Sequence, residues 1–492
     1  MATFSRNFRF ARRICVIGGG LGGLAAALRL RQCGHKVTLI DKNPRFGGKL
    51  AEKKEAGYRW DLGPSLLTMP EVLRELFTDL GKNLTDYLEL VSIEPTCRYF
   101  WPDGFQIDED AAFFQRPDVA SFLRYAAGIY ALSGEAFLHR PPHELWRAFA
   151  PKNWAKLIHL PKVATFATVA QEVERRLTEP HIQQLFLRFA TYNGSSPYRA
   201  PATFNVIPYV EATFGGWYIR GGMARLPEAL TRLAETMGVE LIPGAEVKSL
   251  DGGGARLTSG DVVGADAYLC NGCVIEAHRR WIRFPGWEEE ARRLARPERA
   301  LSGFVLLLGV DRRFPKLSHH NIFFSADYPA EFRQMFQEKR PADDPTIYVS
   351  ITARTDSEDA PEGHDNYFVL VNAPAEIKAI NWDKEGPAYA DRIVAKLESA
   401  GLSGLSSAIR TRHLLTPFDF ANRDLSAAGS LYGWASHSPH TALLRPPMRS
   451  RLDPRLTFVG GTTHPGGGIP LVLLSAKMAA HEVEASFAAN QR

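Results

Sequence analysis

The chain has 492 residues, 45% of them apolar and 23% charged; that is ordinary globular composition in a chain too long for one simple core, so two or three subdomains are expected. A net charge of +5 is too mild to point to nucleic acid, and no apolar run approaches the roughly 20 residues that cross a bilayer. Five scattered cysteines argue against a disulfide framework, and the basic opening MATFSRNFRFARR lacks a signal peptide's apolar run, so a cytoplasmic protein is expected.

Ile14 to Ile17 reads as a short buried strand, followed by Gly18, Gly20 and Gly23 in the pattern G-x-G-x-x-G, with Leu21 and Gly22 inside the turn. An apolar helix face follows from Leu24 to Leu30, Gly34 stops it, and Lys36 to Ile40 forms a second strand ending at Asp41. Strand, glycine turn, helix, strand and terminal acid form a dinucleotide-binding fingerprint. The first glycine makes the turn, the second lets a pyrophosphate approach the backbone, and the third brings helix against strand. The helix N-terminus offers unpaired N–H groups to the phosphates, and Asp41, followed by Lys42, accepts from the ribose hydroxyls. Gly47-Gly48 lets another loop pass close to the nucleotide, and Arg45 or Lys49 offsets phosphate charge. Next comes YRWDLGP, Tyr58 to Pro64, turning at Gly63-Pro64. Glycine turn, basic residue and D-L-G-P together resemble the FAD-binding half of the amine oxidase and carotenoid desaturase superfamily.

Pro70 to Leu80 is predicted helical, and Tyr87 to Ile107 breaks into short strands with a hairpin turn at Asp103-Gly104. Arg116 to about Asn193 is predicted largely helical and aromatic-rich. Within it, His143 to Phe166 interleaves Trp146 and Trp154 with Arg147, Lys152 and Lys156. Two readings are open for this piece: a segment lying on a membrane surface, or a cap packing its aromatics inward. A helix from Arg225 to Met237 and strands at Val239 to Ile242 and Glu246 to Leu250 return to the nucleotide unit. Gly252-Gly253-Gly254 has no helix after it and reads as a hairpin, so a second nucleotide unit is not expected. Cys270 and Cys273 make C-x-x-C without a second pair, which reads as two buried thiols at a strand end, with no metal site. FVLLLGV, TIYVSIT and YFVLVNA, between Leu301 and Phe420, are strands of a second sheet, and Tyr389 to Ser399 is an amphipathic helix. The chain closes with LTFVGGTTHPGGGIP, a buried strand and glycine loop feeding a helix from about Leu471 to Ser486.

VGGTTHPGGGIP with Ser475, together with VIGGGLGGLAAA, DLGP, YNGSSPY, WYIRGGM, TPFDF and SLYGWAS, resembles the bacterial-type phytoene desaturase family over nearly the whole chain. Gly467 and Asn271-Gly272-Cys273 depart from the family pattern and leave the subfamily open. The resemblance implies an α/β fold: a Rossmann-like FAD-binding domain (1–85, 221–300, 421–492), a mixed-sheet substrate domain (86–116, 196–220, 301–420) and a helical cap (117–195). It further implies FAD contacts at Val247, Asn271, Gly460 and Gly461, and at the helix start Gly468, Ile469 and Pro470. The implied activity is flavin-dependent dehydrogenation of a C30 or C40 polyene, with S-P-Y and S-L-Y-G leaning toward C30 or already modified carotenoids. No acid or base is assigned; His464 and Asp419 are polar candidates, and each also has a loop-stabilising reading. Alternatives are another flavin oxidase of this fold, acting on an amine or a porphyrinogen, and a non-catalytic isoprenoid-binding protein.

Each buried CH₂ favours an apolar phase by about 0.8 kcal/mol, so a polyene substrate has to be taken from a bilayer, at the inner face of the cell membrane. The protein is expected to pellet with anionic liposomes and to be only partly released by high salt. Changing Trp154 and Leu157 together to Ser should reduce liposome binding and leave the FAD spectrum normal. Unaltered pelleting of the double variant would place the membrane face elsewhere.

Overall fold

A computed structural model describes residues 11–134, 138, 140, 167–375 and 380–489. The segment His143 to Phe166 lies outside the described residues.

Strand Arg13–Ile17 is buried from its second residue onward. It pairs in parallel with Lys36–Asp41 on one side and Ala267–Cys270 on the other, with Ile14 opposite Val37 and Ala267. Glu240–Pro243 and Leu456–Phe458 complete a parallel five-stranded sheet. Near-continuous apolar runs suit such a sheet because helices cover both its faces. Helix Leu21–Gln32 is buried along most of its length and packs against helices Arg225–Thr236 and Ile469–Ala489. Its small residues allow close approach: a Cβ at Gly22 would stand 3.2 Å from Val472 Cγ1 on the last helix, and one at Gly23 2.0 Å from the Gly18 carbonyl oxygen in the preceding turn. Asp251 to Gly254 joins two antiparallel strands, Val247–Asp251 and Gly254–Leu257, so the glycine triplet is a hairpin.

The second sheet has seven strands, in the order Ile409–Leu415, Ser302–Val310, Asp365–Ala373, Ile347–Ile351, His320–Phe323, Cys97–Phe100, Gln106–Glu109. Only His320–Phe323 and Cys97–Phe100 run parallel, so the sheet is mixed. Helix Trp382–Ser399 packs on it and runs through Pro387, starting earlier than the sequence pattern placed it; Asn381 caps it by accepting from Lys384 N at 3.2 Å. Thr416 to Phe420, expected as a domain end, opens helix Pro417–Arg423. Helices Pro117–Ser133, Val169–Arg176, Pro180–Arg188 and Val206–Phe214 form the cap side. Phe122, Phe186 and Phe189 share a core there with Tyr99 and Phe324 beside the second sheet.

A separate two-stranded ribbon, Glu52–Glu55 with Tyr58–Asp61, is held beside the second sheet at Arg59. Arg59 Nε donates to Asp359 Oδ1 at 2.5 Å, its Nη2 to Asp359 Oδ2 at 2.7 Å, and its Nη1 to Asp61 Oδ1 at 2.9 Å. Tyr218 OH and Thr352 Oγ1 also donate to Asp359, and Met223 N donates to Asp61. Gly222, at φ +102°, has no room for a side chain, because its Cβ would lie 2.1 Å from Arg59 Nη1. All of these charged groups are buried. Removing one member of a buried ion cluster leaves the others uncompensated. Arg59→Met should therefore destabilise the protein by about 3–5 kcal/mol in denaturant unfolding, and adding Asp359→Asn should recover part of the loss. A loss within the range of an exposed pair, at most about 1 kcal/mol, would mean that water reaches the cluster.

Candidate functional site

A cavity of about 830 Å³ opens between the parallel sheet and the mixed sheet. Its first wall is the turn after Arg13–Ile17, where Gly18, Gly20, Leu21 and Gly22 face the space. Asp41 and Lys42 follow from the end of the next strand, then Gly48 and Lys49, then Gly63 and Pro64. From far along the chain come Val247, Asn271, Gly461, Gly468, Ile469 and Pro470. Gly23 and Gly460 stand behind this wall: Gly23 under the Gly18 carbonyl, Gly460 against Asn271 with its N–H donating to Ser475 Oγ at 3.0 Å. Arg45 is exposed and off the wall.

Asn271 organises the wall. Its Nδ2 donates to Gly18 O at 3.2 Å. A Cβ at Gly22 would stand 2.6 Å from its Oδ1, one at Gly460 2.7 Å from the same atom, and one at Gly20 3.0 Å from Nδ2. Side chains at Gly22 and Gly460 would displace this amide and with it the glycine wall that a pyrophosphate approaches. Two helix N-termini open on the cavity, at Leu21 and at Ile469, and the first-turn N–H groups of a helix have no intrahelical partner. Asp41 Oδ2 accepts from Gly19 N and Oδ1 from Asn43 N, each at 2.7 Å. A carboxylate has about four acceptor sites, so capacity remains for ribose hydroxyls. Lys49 Nζ donates to Leu431 O at 2.8 Å; burial lowers its pKa, and Asp424 acts in the opposite direction. This donor set fits FAD: open backbone for the pyrophosphate, an acid for the ribose, and a second helix start for the electron-rich edge of the flavin.

Beyond the glycine turns the wall becomes apolar, with Val305, Ile322, Phe368, Leu370 and Phe420 from the second sheet and its flanking helix. Set into it is a polar group that sequence reasoning missed: buried Arg188, Glu211 and His320 with half-buried Tyr192 and Tyr348. Arg188 Nη2 donates to Tyr99 OH at 2.7 Å, and Tyr192 OH to Glu211 Oε2 at 2.5 Å. The available signal was a charged residue inside an apolar run, as in LFLRFA and VIPYVEATF.

Neither polar candidate lies on the cavity wall. His464 is fully buried, with its Nε2 3.0 Å from the Arg140 carbonyl oxygen. Asp419 caps its own helix, accepting from Thr416 N at 2.7 Å and Thr416 Oγ1 at 2.8 Å. Cys273 does reach the wall, while burial pushes the Cys270 thiol up to about 12 and keeps it protonated.

Comparison with known proteins agrees with this geometry. The chain is 36% identical to a 4,4'-diapolycopene oxygenase of Methylomonas sp, over 96% of this chain and 98% of the relative. It is 34% identical to a 1-hydroxycarotenoid 3,4-desaturase of a Flavobacterium species, over 95% of this chain and 98% of the relative. Its fold matches that of a putrescine oxidase with a TM-score of 0.65 at 14% identity, covering 98% of this chain and 99% of the other. Residues 21–484 match the family described as flavin containing amine oxidoreductase. The chain belongs to that family, and it is an FAD-dependent oxidoreductase.

Proposed function

We propose that the chain is a carotenoid desaturase that introduces double bonds into a C30 or C40 polyene. The observation that carries the reading is the single cavity joining a dinucleotide cradle to a long apolar wall. Bound FAD supplies a two-electron acceptor for the hydride that leaves a carbon next to the existing double bonds. Gly20, Gly22 and Ile469 would hold it through backbone groups, with Pro470 fixing the helix start, Asp41 through the ribose, and Lys49 by offsetting negative charge. Phe368, Leu370 and Ile322 align the polyene and exclude water. The double bond forms when the neighbouring carbon then loses a proton; charge developing on an extended polyene is delocalised, so a weak acceptor such as water at the cavity mouth takes that proton and no strong side-chain base is needed.

An insoluble substrate supports uptake at a membrane surface, and no described helix is long and apolar enough to cross one. A second reading, oxidation of a terminal carbon, draws support from the 36% identity to a diapolycopene oxygenase.

Anaerobic addition of phytoene or dehydrosqualene should bleach the flavin absorption, and aerobic turnover should shift the polyene absorption to the red. A gain of oxygen in the product mass without added double bonds would favour the second reading; a flavin that no polyene reduces would remove both. Asp41→Ala, losing hydrogen bonds to a charged acceptor, should weaken FAD retention about tenfold or more, read by flavin release on dilution. Undiminished retention would assign the ribose contacts to other residues.

A further inference from the structure

The polar group in the apolar wall has more hydrogen-bonding capacity than the protein satisfies. Arg188 and Glu211 come from neighbouring helices of the cap, and His320 from the second sheet, so none belongs to the dinucleotide cradle. Their bonds to the protein are specific. Arg188 is anchored on Tyr99, whose hydroxyl in turn donates to Glu109 Oε2 at 2.5 Å. His320 Nδ1 lies 2.9 Å from Tyr348 OH, which lies 2.5 Å from Ser65 Oγ. Yet Arg188 Nε and His320 Nε2 are buried without a hydrogen-bond partner, while Glu211 Oε1, 3.8 Å from Arg188 Nη2, shares a hydrogen bond with the carboxyl of Glu109. All three residues line the cavity and are more than nine-tenths buried. An unsatisfied buried polar group costs about 1–3 kcal/mol. A hydrocarbon terminus placed here would leave both nitrogens unpaired.

Their charges specify what fits. Burial works against the Arg188 charge, but Tyr99, Tyr192 and Glu211 hold its proton in place. Burial and then neighbouring Glu211 push the Glu109 carboxyl well up, so it keeps its proton. Burial, His319 and Arg188 together keep His320 neutral. What remains is one cation paired with one anion. A carboxylate ligand would face the Glu211 charge and an ammonium would face Arg188, whereas a neutral oxygen meets a donor in Arg188 and, in neutral His320, a ring nitrogen that donates or accepts with the tautomer.

We propose that Arg188, Glu211 and His320 form an end-group subsite that binds a neutral oxygen function, hydroxyl or carbonyl, at one terminus of the polyene. The substrates are then oxygen-bearing carotenoids in preference to hydrocarbons. This inference rests on the carotenoid reading above and narrows it.

The test uses FAD-loaded protein and three polyenes of equal chain length: the hydrocarbon, its terminal alcohol and its terminal aldehyde. Anaerobic flavin reduction and kcat/KM are measured for each. At least one oxygenated polyene should exceed the hydrocarbon in kcat/KM by about tenfold or more, because a site built to hydrogen-bond an oxygen disfavours the analogue lacking it. The arm with the larger ratio tells hydroxyl from carbonyl. In His320→Phe the ratio should fall to within about threefold, while His320→Gln should keep more of it; a ratio does not depend on how much protein folds. Equal reduction by all three polyenes, or a ratio that survives His320→Phe, overturns the subsite and leaves the desaturase reading standing. Reduction by none of them overturns the desaturase reading, and the subsite with it.

Discussion

The nucleotide end of this molecule depends on one close approach, the seating of the Asn271 side chain among Gly18, Gly22 and Gly460. Three segments separated by hundreds of residues meet around that single amide. At Gly22 and Gly460 even a methyl group would enter the van der Waals shell of the amide, at Gly23 that of a carbonyl oxygen, and Gly18 takes φ +99°, which side-chain-bearing residues rarely adopt. Close packing makes such contacts unforgiving, since interiors have few voids to absorb a displaced group. The parallel strand pairing brings the segments within reach, and the absence of side chains lets them touch.

The same cavity solves two different electrostatic problems. At the cradle, polar partners are mainly backbone N–H groups at helix starts, which offer partial positive charge without a mobile side chain. At the far end, partners are ionisable side chains taken out of water, where every one must be matched. Arg188 and Glu211 balance each other, and Tyr99 with Glu109 supports the guanidinium from behind. A comparable economy operates at Arg59, whose guanidinium serves Asp61 on its own strand and Asp359 beside the second sheet. Buried charge thus appears twice in the fold, once satisfied within the protein and once with unpaired polar atoms on residues that line the cavity.

The sequence was most legible where backbone geometry dictates residue type. Gly18 to Gly23, Asp41 and the GGIP run are constrained by turns, close approach and helix starts, and each is recognisable at short range. Strands such as Ser302–Val310 were equally plain, being apolar throughout. Boundaries failed where a side chain overrode a local rule. Pro387 marks a helix boundary in the pattern, yet Asn381 caps that helix one turn and more upstream. Asp419 had the look of a polar group near the flavin, and its carboxylate is instead consumed by the backbone and hydroxyl of Thr416 three residues away.

By itself, then, the sequence determined the dinucleotide cradle, the alternation of a parallel with a mixed sheet, and the family likeness, because each is written in contiguous residues obeying short-range steric rules. Tertiary structure alone decided which polar residues share a cavity. Arg188 and Glu211 each sit in an apolar run on a helix, His320 follows Ser318-His319 at the start of a strand, and nothing local distinguishes them from structural buried polar groups. Their significance lies in mutual distance and in the hydrogen bonds they lack. Both are properties of how the cap packs on the second sheet, which no spacing along the chain encodes.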